Sequence, residues 1–98
     1  MDDPLPLVTK VNQNYPNPFN PETTIAFSIA NDAQHTQLGI FNIKGQLVKT
    51  IVNNEIVQNT NFVWNGKDNK GNSTSSGMYF VKMKTATSEV SKKMLLIK

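Results

Sequence analysis

The sequence predicts an all-β domain, a sandwich of two antiparallel sheets with seven strands, and three observations support it. Between Leu7 and Lys98 the apolar residues recur at the period of two that belongs to strands. No segment sustains the i, i+3, i+4, i+7 spacing of an amphipathic helix. Clusters of Gly, Asn, Asp and Ser interrupt the apolar runs at intervals of about 10 residues, the rhythm of turns in a sandwich. The 98 residues suffice for one domain. A chain of that size buries roughly 60–70% of its unfolded surface, which builds a modest core and leaves little apolar surface for a deep cleft.

The elements follow in order. Residues 1–13 divide off as a linker, starting with the proline-broken Pro4-Leu5-Pro6, that ends in an edge strand from Leu7 to Val11. In the strand from Thr24 to Ile29, Ile25, Phe27 and Ile29 face a core while Ala26 and Ser28 face out. The strand from Gln37 to Ile43 puts Leu38 and Ile40 on one face and Phe41 and Ile43 on the other. A two-residue turn at Lys44-Gly45 makes it a hairpin with Gln46 to Val52. Asn53-Asn54-Glu55 reads as a turn, and Asn61 to Asn65 as a short strand with Phe62 and Trp64 on one side. Met78 to Lys84 and Glu89 to Ile97 form the last pair, turning through Thr85 to Ser88.

Tyr15-Pro16-Asn17-Pro18-Phe19-Asn20-Pro21 packs three of the five prolines into one stretch, which excludes a helix or a central strand. It reads as a stiff crossing between sheets, anchored by Tyr15 and Phe19, with Phe19 buried and a cis bond at Tyr15-Pro16 allowed. The alternative, a proline-rich ligand for an aromatic groove, belongs to exposed tails. In the loop Trp64-Asn65-Gly66-Lys67-Asp68-Asn69-Lys70-Gly71-Asn72, Asp68 is expected to accept backbone N–H groups in an Asx turn. Calcium is the competing reading at Asp68, but one carboxylate without EF-hand spacing is a poor set of oxygen ligands. Trp64 is expected in the core and not as a sugar-stacking platform, because its neighbours read as strand.

Ten Lys against seven acids give a net charge of +3, yet arginine, the bidentate reader of phosphate and guanine, is absent. The lysines are scattered, so the basicity suits solubility and no nucleic-acid partner is expected. The absence of cysteine removes disulfides, thiolate metal sites and Cys nucleophiles. No apolar run is long enough for a membrane helix, and Met1-Asp2-Asp3-Pro4 is acidic where a signal peptide is basic, so an exported form is expected to be a piece of a longer chain. His35, in a polar turn, is the one imidazole. With no nucleophile elbow, phosphate-binding glycine run or zinc motif, no enzyme activity, cofactor or catalytic residue is expected. Ten Lys and thirteen Asn leave room for a self-made Lys–Asn isopeptide bond, whose signature is an intact mass lower by one ammonia.

Four blocks together carry a resemblance: Tyr15-Pro16-Asn17-Pro18-Phe19-Asn20-Pro21; Leu38-Gly39-Ile40-Phe41-Asn42-Ile43-Lys44-Gly45-Gln46-Leu47-Val48; Trp64-Asn65-Gly66-Lys67-Asp68 with Gly71 and Ser76-Gly77-Met78-Tyr79; and Lys92-Lys93-Met94-Leu95-Leu96-Ile97-Lys98. In order and spacing, from about Asn14 to the last residue, the chain resembles the type A C-terminal sorting domain of the type IX (Por) secretion system. A sister family, the Ig-like domain of flagellar hook-capping proteins, shares much of the pattern. The resemblance implies an Ig-like sandwich over 14–98 that serves as a sorting domain at the end of a secreted cargo. It implies that a translocon at the outer membrane reads the folded domain, and that a sortase commonly cuts it off near the N-terminal linker and can join the cargo to an anionic lipopolysaccharide. Carried over by position, the recognition residues are Gly77 and Tyr79, at the start of their strand, and Lys92, Lys93, Met94, Leu95, Leu96, Ile97 and Lys98. The protein so described is a monomer, secreted or at the cell surface, reaching it through the periplasm and not inserted in the membrane. Lys stands here where many members carry Arg, which weakens any bidentate recognition.

The residues support part of this independently. A strand buried on one face needs alternate apolar residues, so two of the four from Met94 to Ile97 are surplus, either covered by the rim of the other sheet or offered to a partner. A partner strand added at that edge, or acidic groups clasping Lys92 and Lys93, are the two modes expected, against a terminal strand simply packed on both sides. The competing class is an Ig-like structural or adhesion module of a secreted protein, and fold alone does not separate the two. The sequence stops one residue after its last apolar run, which is expected of a label and not of an internal spacer.

Overall fold

A computed structural model describes residues 10–28, 35–56, 60–86 and 88–98. Seven strands follow in chain order: β1 (Lys10–Val11), β2 (Thr23–Ser28), β3 (His35–Asn42), β4 (Leu47–Ile56), β5 (Thr60–Trp64), β6 (Gly77–Lys84) and β7 (Glu89–Leu96). They form two antiparallel sheets, β1-β2-β5 and β4-β3-β6-β7. The described residues include no helix, and the all-β Ig-like sandwich is the fold. Ile29 and the predicted edge-strand residues before Lys10 lie outside the described residues.

Alternation sets the core. Ile25 and Phe27 of β2 face Leu38 and Ile40 of β3, Tyr79, Val81 and Met83 of β6, and Met94 and Leu96 of β7, all buried. Trp64 closes the layer, its ring centroid 5.6 Å from Phe19 and 5.3 Å from Tyr79, the latter edge-on as aromatic quadrupoles favour. Phe62 packs half-buried on the same side.

Four local expectations are corrected. His35 opens β3, paired with Ile56, and is not part of a turn. Asn53-Asn54-Glu55 continues β4, because the β3–β4 register shifts at Thr36/Gln37, Leu38/Gly39 and Ile40/Phe41. Each bulge inserts one β4 residue without a partner, so polar residues that look like a break are absorbed by the irregular pairing. The β3–β4 connection loops through three residues, 43–45, between the bonded pair Asn42 and Gln46: Gly45 N–H donates to the Asn42 carbonyl at 2.9 Å, Asn42 N–H donates to the Gln46 carbonyl at 3.0 Å, and Gly45 has φ +82°. That is the three-residue loop with a glycine in the left-handed region, where a side chain is strained. Finally, Tyr15 is 80% exposed and anchors through its backbone alone, pairing with Thr24, whereas Phe19 is 1% exposed.

The proline segment is held by polar groups that hydropathy does not reveal. Asn14, buried, donates from Nδ2 to Thr23 Oγ1 at 2.8 Å and to the Pro16 carbonyl at 3.1 Å, and Thr23 Oγ1 also donates to that carbonyl. The peptide bonds before Pro16, Pro18 and Pro21 are all cis. Replacing Phe19 with Ala empties a fully buried aromatic site, so Phe19→Ala should lower unfolding free energy by about 3–5 kcal/mol in a denaturant titration, where Tyr15→Ala changes it by less than about 0.5 kcal/mol.

Candidate functional site

The residues that the resemblance implies for recognition fall on β6, on β7 and just after it, and β7 is an edge of the four-stranded sheet. Along its pairing with β6, Tyr79 lies opposite Met94 and Gly77 opposite Leu96. Alternation divides the set. Met94 and Leu96 are fully buried and Tyr79 is 5% exposed, its hydroxyl donating to the Ser75 carbonyl at 2.6 Å. Lys92, Lys93, Ile97 and Lys98 are exposed and Leu95 is half-buried. Of the four apolar residues at the end of the chain, two therefore serve the core, and Ile97, 49% exposed, with Leu95 forms the surplus. Gly77, half-buried, begins β6 next to Ser76, whose Oγ accepts from Lys98 N–H at 2.9 Å.

An edge strand presents a row of outward N–H and C=O groups, and here much of that row is occupied. Phe19 N–H donates to the Leu95 carbonyl at 3.0 Å, and Ile97 N–H donates to the Phe19 carbonyl at 2.9 Å. Asn17 Oδ1 accepts from Leu95 N–H at 3.0 Å, and Gln13 Nε2 donates to the Lys93 carbonyl at 2.9 Å. Residues 13–19 thus act as a short substitute strand along β7 from Lys93 to Ile97. A partner strand finds that stretch closed, which leaves side chains as what β7 offers there. Towards Glu89 the cover ends. Val90, Ser91 and Lys92 there border an open depression of about 430 Å³ whose other wall is 10–13, including β1.

The loop after β5 accounts for the other candidates. Trp64 Nε1 donates to the Lys67 carbonyl at 2.9 Å, so the indole is core and its polar edge is satisfied within the loop. Asp68 Oδ1 accepts from Lys70 N–H and Asn72 N–H, both at 2.9 Å, which is the expected Asx turn. The same five-residue pattern occurs at Asn42, whose Oδ1 accepts from Lys44 N–H and Gln46 N–H at 2.9 Å. Asn42-Ile43-Lys44-Gly45-Gln46 and Asp68-Asn69-Lys70-Gly71-Asn72 are matching loops, and the repeat of Lys-Gly two residues after an Asn or Asp is the sequence signal for it. A neutral amide does at 42 what the carboxylate does at 68, so hydrogen bonding explains Asp68 without a metal. Among the described residues, His, Asp and Glu do not gather in a group of three or more suited to a metal ion. Asn69 next to it caps the opposite edge, its N–H donating to the Val48 carbonyl and its Oδ1 accepting from Thr50 N–H, both at 3.0 Å.

Comparison with known proteins fits this geometry. The family model described as the FlgD Ig-like domain matches residues 12–89. The chain belongs to that family. No curated protein matches. Two solved structures from Porphyromonas gingivalis are similar in fold to this chain. PorZ, described as an essential surface component of the type-IX secretion system, aligns with a TM-score of 0.61 at 18% identity, covering 88% of this chain and 11% of PorZ. Dimeric latent PorU aligns at 0.67 and 18% identity, covering 99% of this chain and 10% of PorU. The chain thus spans about a tenth of each of these proteins.

Asp68→Ala removes two charge-assisted acceptor bonds and should cost about 1–2 kcal/mol in a denaturant melt, whereas Asp68→Asn, copying Asn42, should recover most of that loss. A rise in Tm on adding calcium that disappears in Asp68→Asn would instead establish a metal role.

Proposed function

We propose that this domain is a sorting label, read at its exposed C-terminal strand by the outer-membrane machinery of a type IX secretion system and carried at the end of a secreted cargo. The observation that carries the reading is the terminal strand itself. β7 is fixed from beneath by Met94 and Leu96 and from the side by Asn17 and Phe19, yet it and the two residues after it display Lys92, Lys93, Leu95, Ile97 and Lys98. A rigid strand with a mixed cationic and apolar face suits recognition at little ordering cost. Domains of this fold in PorZ and PorU, one of them described as a component of that secretion system, support the same reading. The domain works without catalysis or cofactor, its partners are the translocon, a sortase and the attached cargo, and it operates at the cell surface. Tyr79 and the glycine at its strand start contribute by holding β6 in place, not by contact.

The family match favours a second reading, an Ig-like spacer or adhesion module in a secreted protein, because the matched model is described by its Ig-like fold and one fold hosts many roles. One experiment separates the two. The domain is fused to the C-terminus of a periplasmic reporter in a host with the secretion system, and reporter activity is measured at the surface and in the periplasm. Export of the fusion supports the label, and periplasmic retention of a folded fusion supports the spacer. Deleting Lys92–Lys98 is the wrong control, since it also removes Met94 and Leu96 from the core. Lys92→Glu with Lys93→Glu and Lys98→Glu leaves the core intact, and should reduce surface delivery by about an order of magnitude with Tm unchanged.

A further inference from the structure

The outer face of the four-stranded sheet mixes apolar and lysine side chains. Residues that alternate with the buried ones form rows across it: Phe41 lies opposite Leu47 on β4 and Phe80 on β6, and Phe80 lies opposite Lys93 on β7. Met78 opposite Leu95 extends the apolar row, with Leu47 53% exposed and Phe41, Phe80 and Leu95 half-buried. In the next row Gly39 lies opposite Thr50 and Lys82, and beyond it Gln37 opposite Lys84.

Gly39 leaves a notch in this face. A methyl group there meets Leu47 Cδ1 at 3.0 Å and Phe41 Cε1 at 3.4 Å, so any side chain would fill the space. The notch holds about 220 Å³ and is walled by Gln37, Phe41, Leu47, Thr50 and Lys82, with Lys82 Nζ 5.1 Å from the centre of the Phe41 ring. That is below the roughly 300–1,000 Å³ that encloses a drug-sized molecule, and suits one inserted side chain.

Charge decides the occupant. β3, β6 and β7 bring Lys82, Lys84 and Lys93 to this face against one acid, Glu89, which lies opposite Lys84. A second copy docked face to face sets these lysines against themselves, and like charges so placed cost several kcal/mol. A polyanionic chain gains from the lysines but nothing from the apolar row. We propose that this face docks a protein partner whose apolar anchor side chain enters the notch over Gly39 while flanking carboxylates pair with Lys82, Lys84 and Lys93. The site lies on the broad face of the sheet and shares the side chains of Lys93 and Leu95 with the displayed face of β7, whose backbone edge is covered, and it stands whether the domain is a sorting label or a spacer.

The test is a two-dimensional amide NMR titration of the 98-residue chain. The probes are a hexapeptide alternating glutamate and phenylalanine, its lysine–phenylalanine counterpart, and heparin. The expected result is saturable shifts at Gly39, Phe41 and Lys82 with the acidic peptide, weakened about tenfold in the folded double variant Lys82→Glu, Lys84→Glu and in Leu47→Asp. The basic peptide should not compete. Shifts confined to other surfaces, equal binding of the basic peptide, or no shift at millimolar acidic peptide overturn the proposal. Tighter binding of heparin to the same amides makes this a polyanion site instead. Dimerisation in sedimentation that Leu47→Asp abolishes makes the occupant a second copy.

Discussion

Phe19 performs two tasks that are usually divided between residues, and the rest of the fold depends on both. Its ring lies in the core against Trp64, which in turn meets Tyr79 edge-on. Its N–H and C=O pair with the outer edge of β7 at Leu95 and Ile97. Burying the ring therefore places the backbone at the edge, and the edge bonds hold the ring. An exposed strand edge invites unwanted pairing, and this chain blunts it with its own proline segment instead of with charge alone. Three prolines suit that task, since a segment with few N–H groups of its own can lie along a strand without extending the sheet further.

The opposite edge is managed by a smaller device. Asn69 donates and accepts at Val48 and Thr50 much as a neighbouring strand would, and it is positioned by the Asp68 turn. Both edges of the larger sheet are thus occupied in part by loop residues, which leaves side chains as what those stretches offer. That changes what the C-terminal strand can be. Strand addition over Lys93–Ile97 requires the proline segment to leave, and its departure takes Phe19 out of the core. Clasping of lysines and of Ile97 requires nothing to move.

Much of this was legible in the sequence, and the losses share a cause. Period-two alternation located β2, β3, β6 and β7 and their inward residues because each has one buried face. It failed in β4, where three bulges keep 53–55 within the strand, Asn53 and Glu55 paired and Asn54 the extra residue, since a bulge changes which residue faces the core without leaving a mark in hydropathy. Tyr15 and Phe19 are both aromatic and flank the same prolines, but only their register along β2 and β7 decides that one is buried and the other exposed. The cover over β7 rests on Gln13 and Asn17, polar residues that bond across more than 75 positions of sequence. Such long-range polar bonds have no periodic signature. Within the candidate site, the split of Met94, Leu95, Leu96 and Ile97 was visible because alternation governs it, whereas the partial closure of the edge was not.

Several of the side chains that could do chemistry are engaged within the fold. Asp68 is engaged by two backbone N–H groups, in a loop whose twin manages with Asn42. Trp64 and Tyr79 spend their polar atoms on Lys67 and Ser75, and His35 is a strand residue paired with Ile56. On β7 and the broad face of its sheet the side chains displayed include Lys92, Lys93, Leu95, Leu47 and Met78, a mixture that suits a contact. Lysine in place of arginine fits the same account: without a fork to fix orientation, specificity has to come from the shape on which the charges are mounted. The rigid β7 strand and the notch over Gly39 supply such shapes, and both depend on the packing that starts with Phe19.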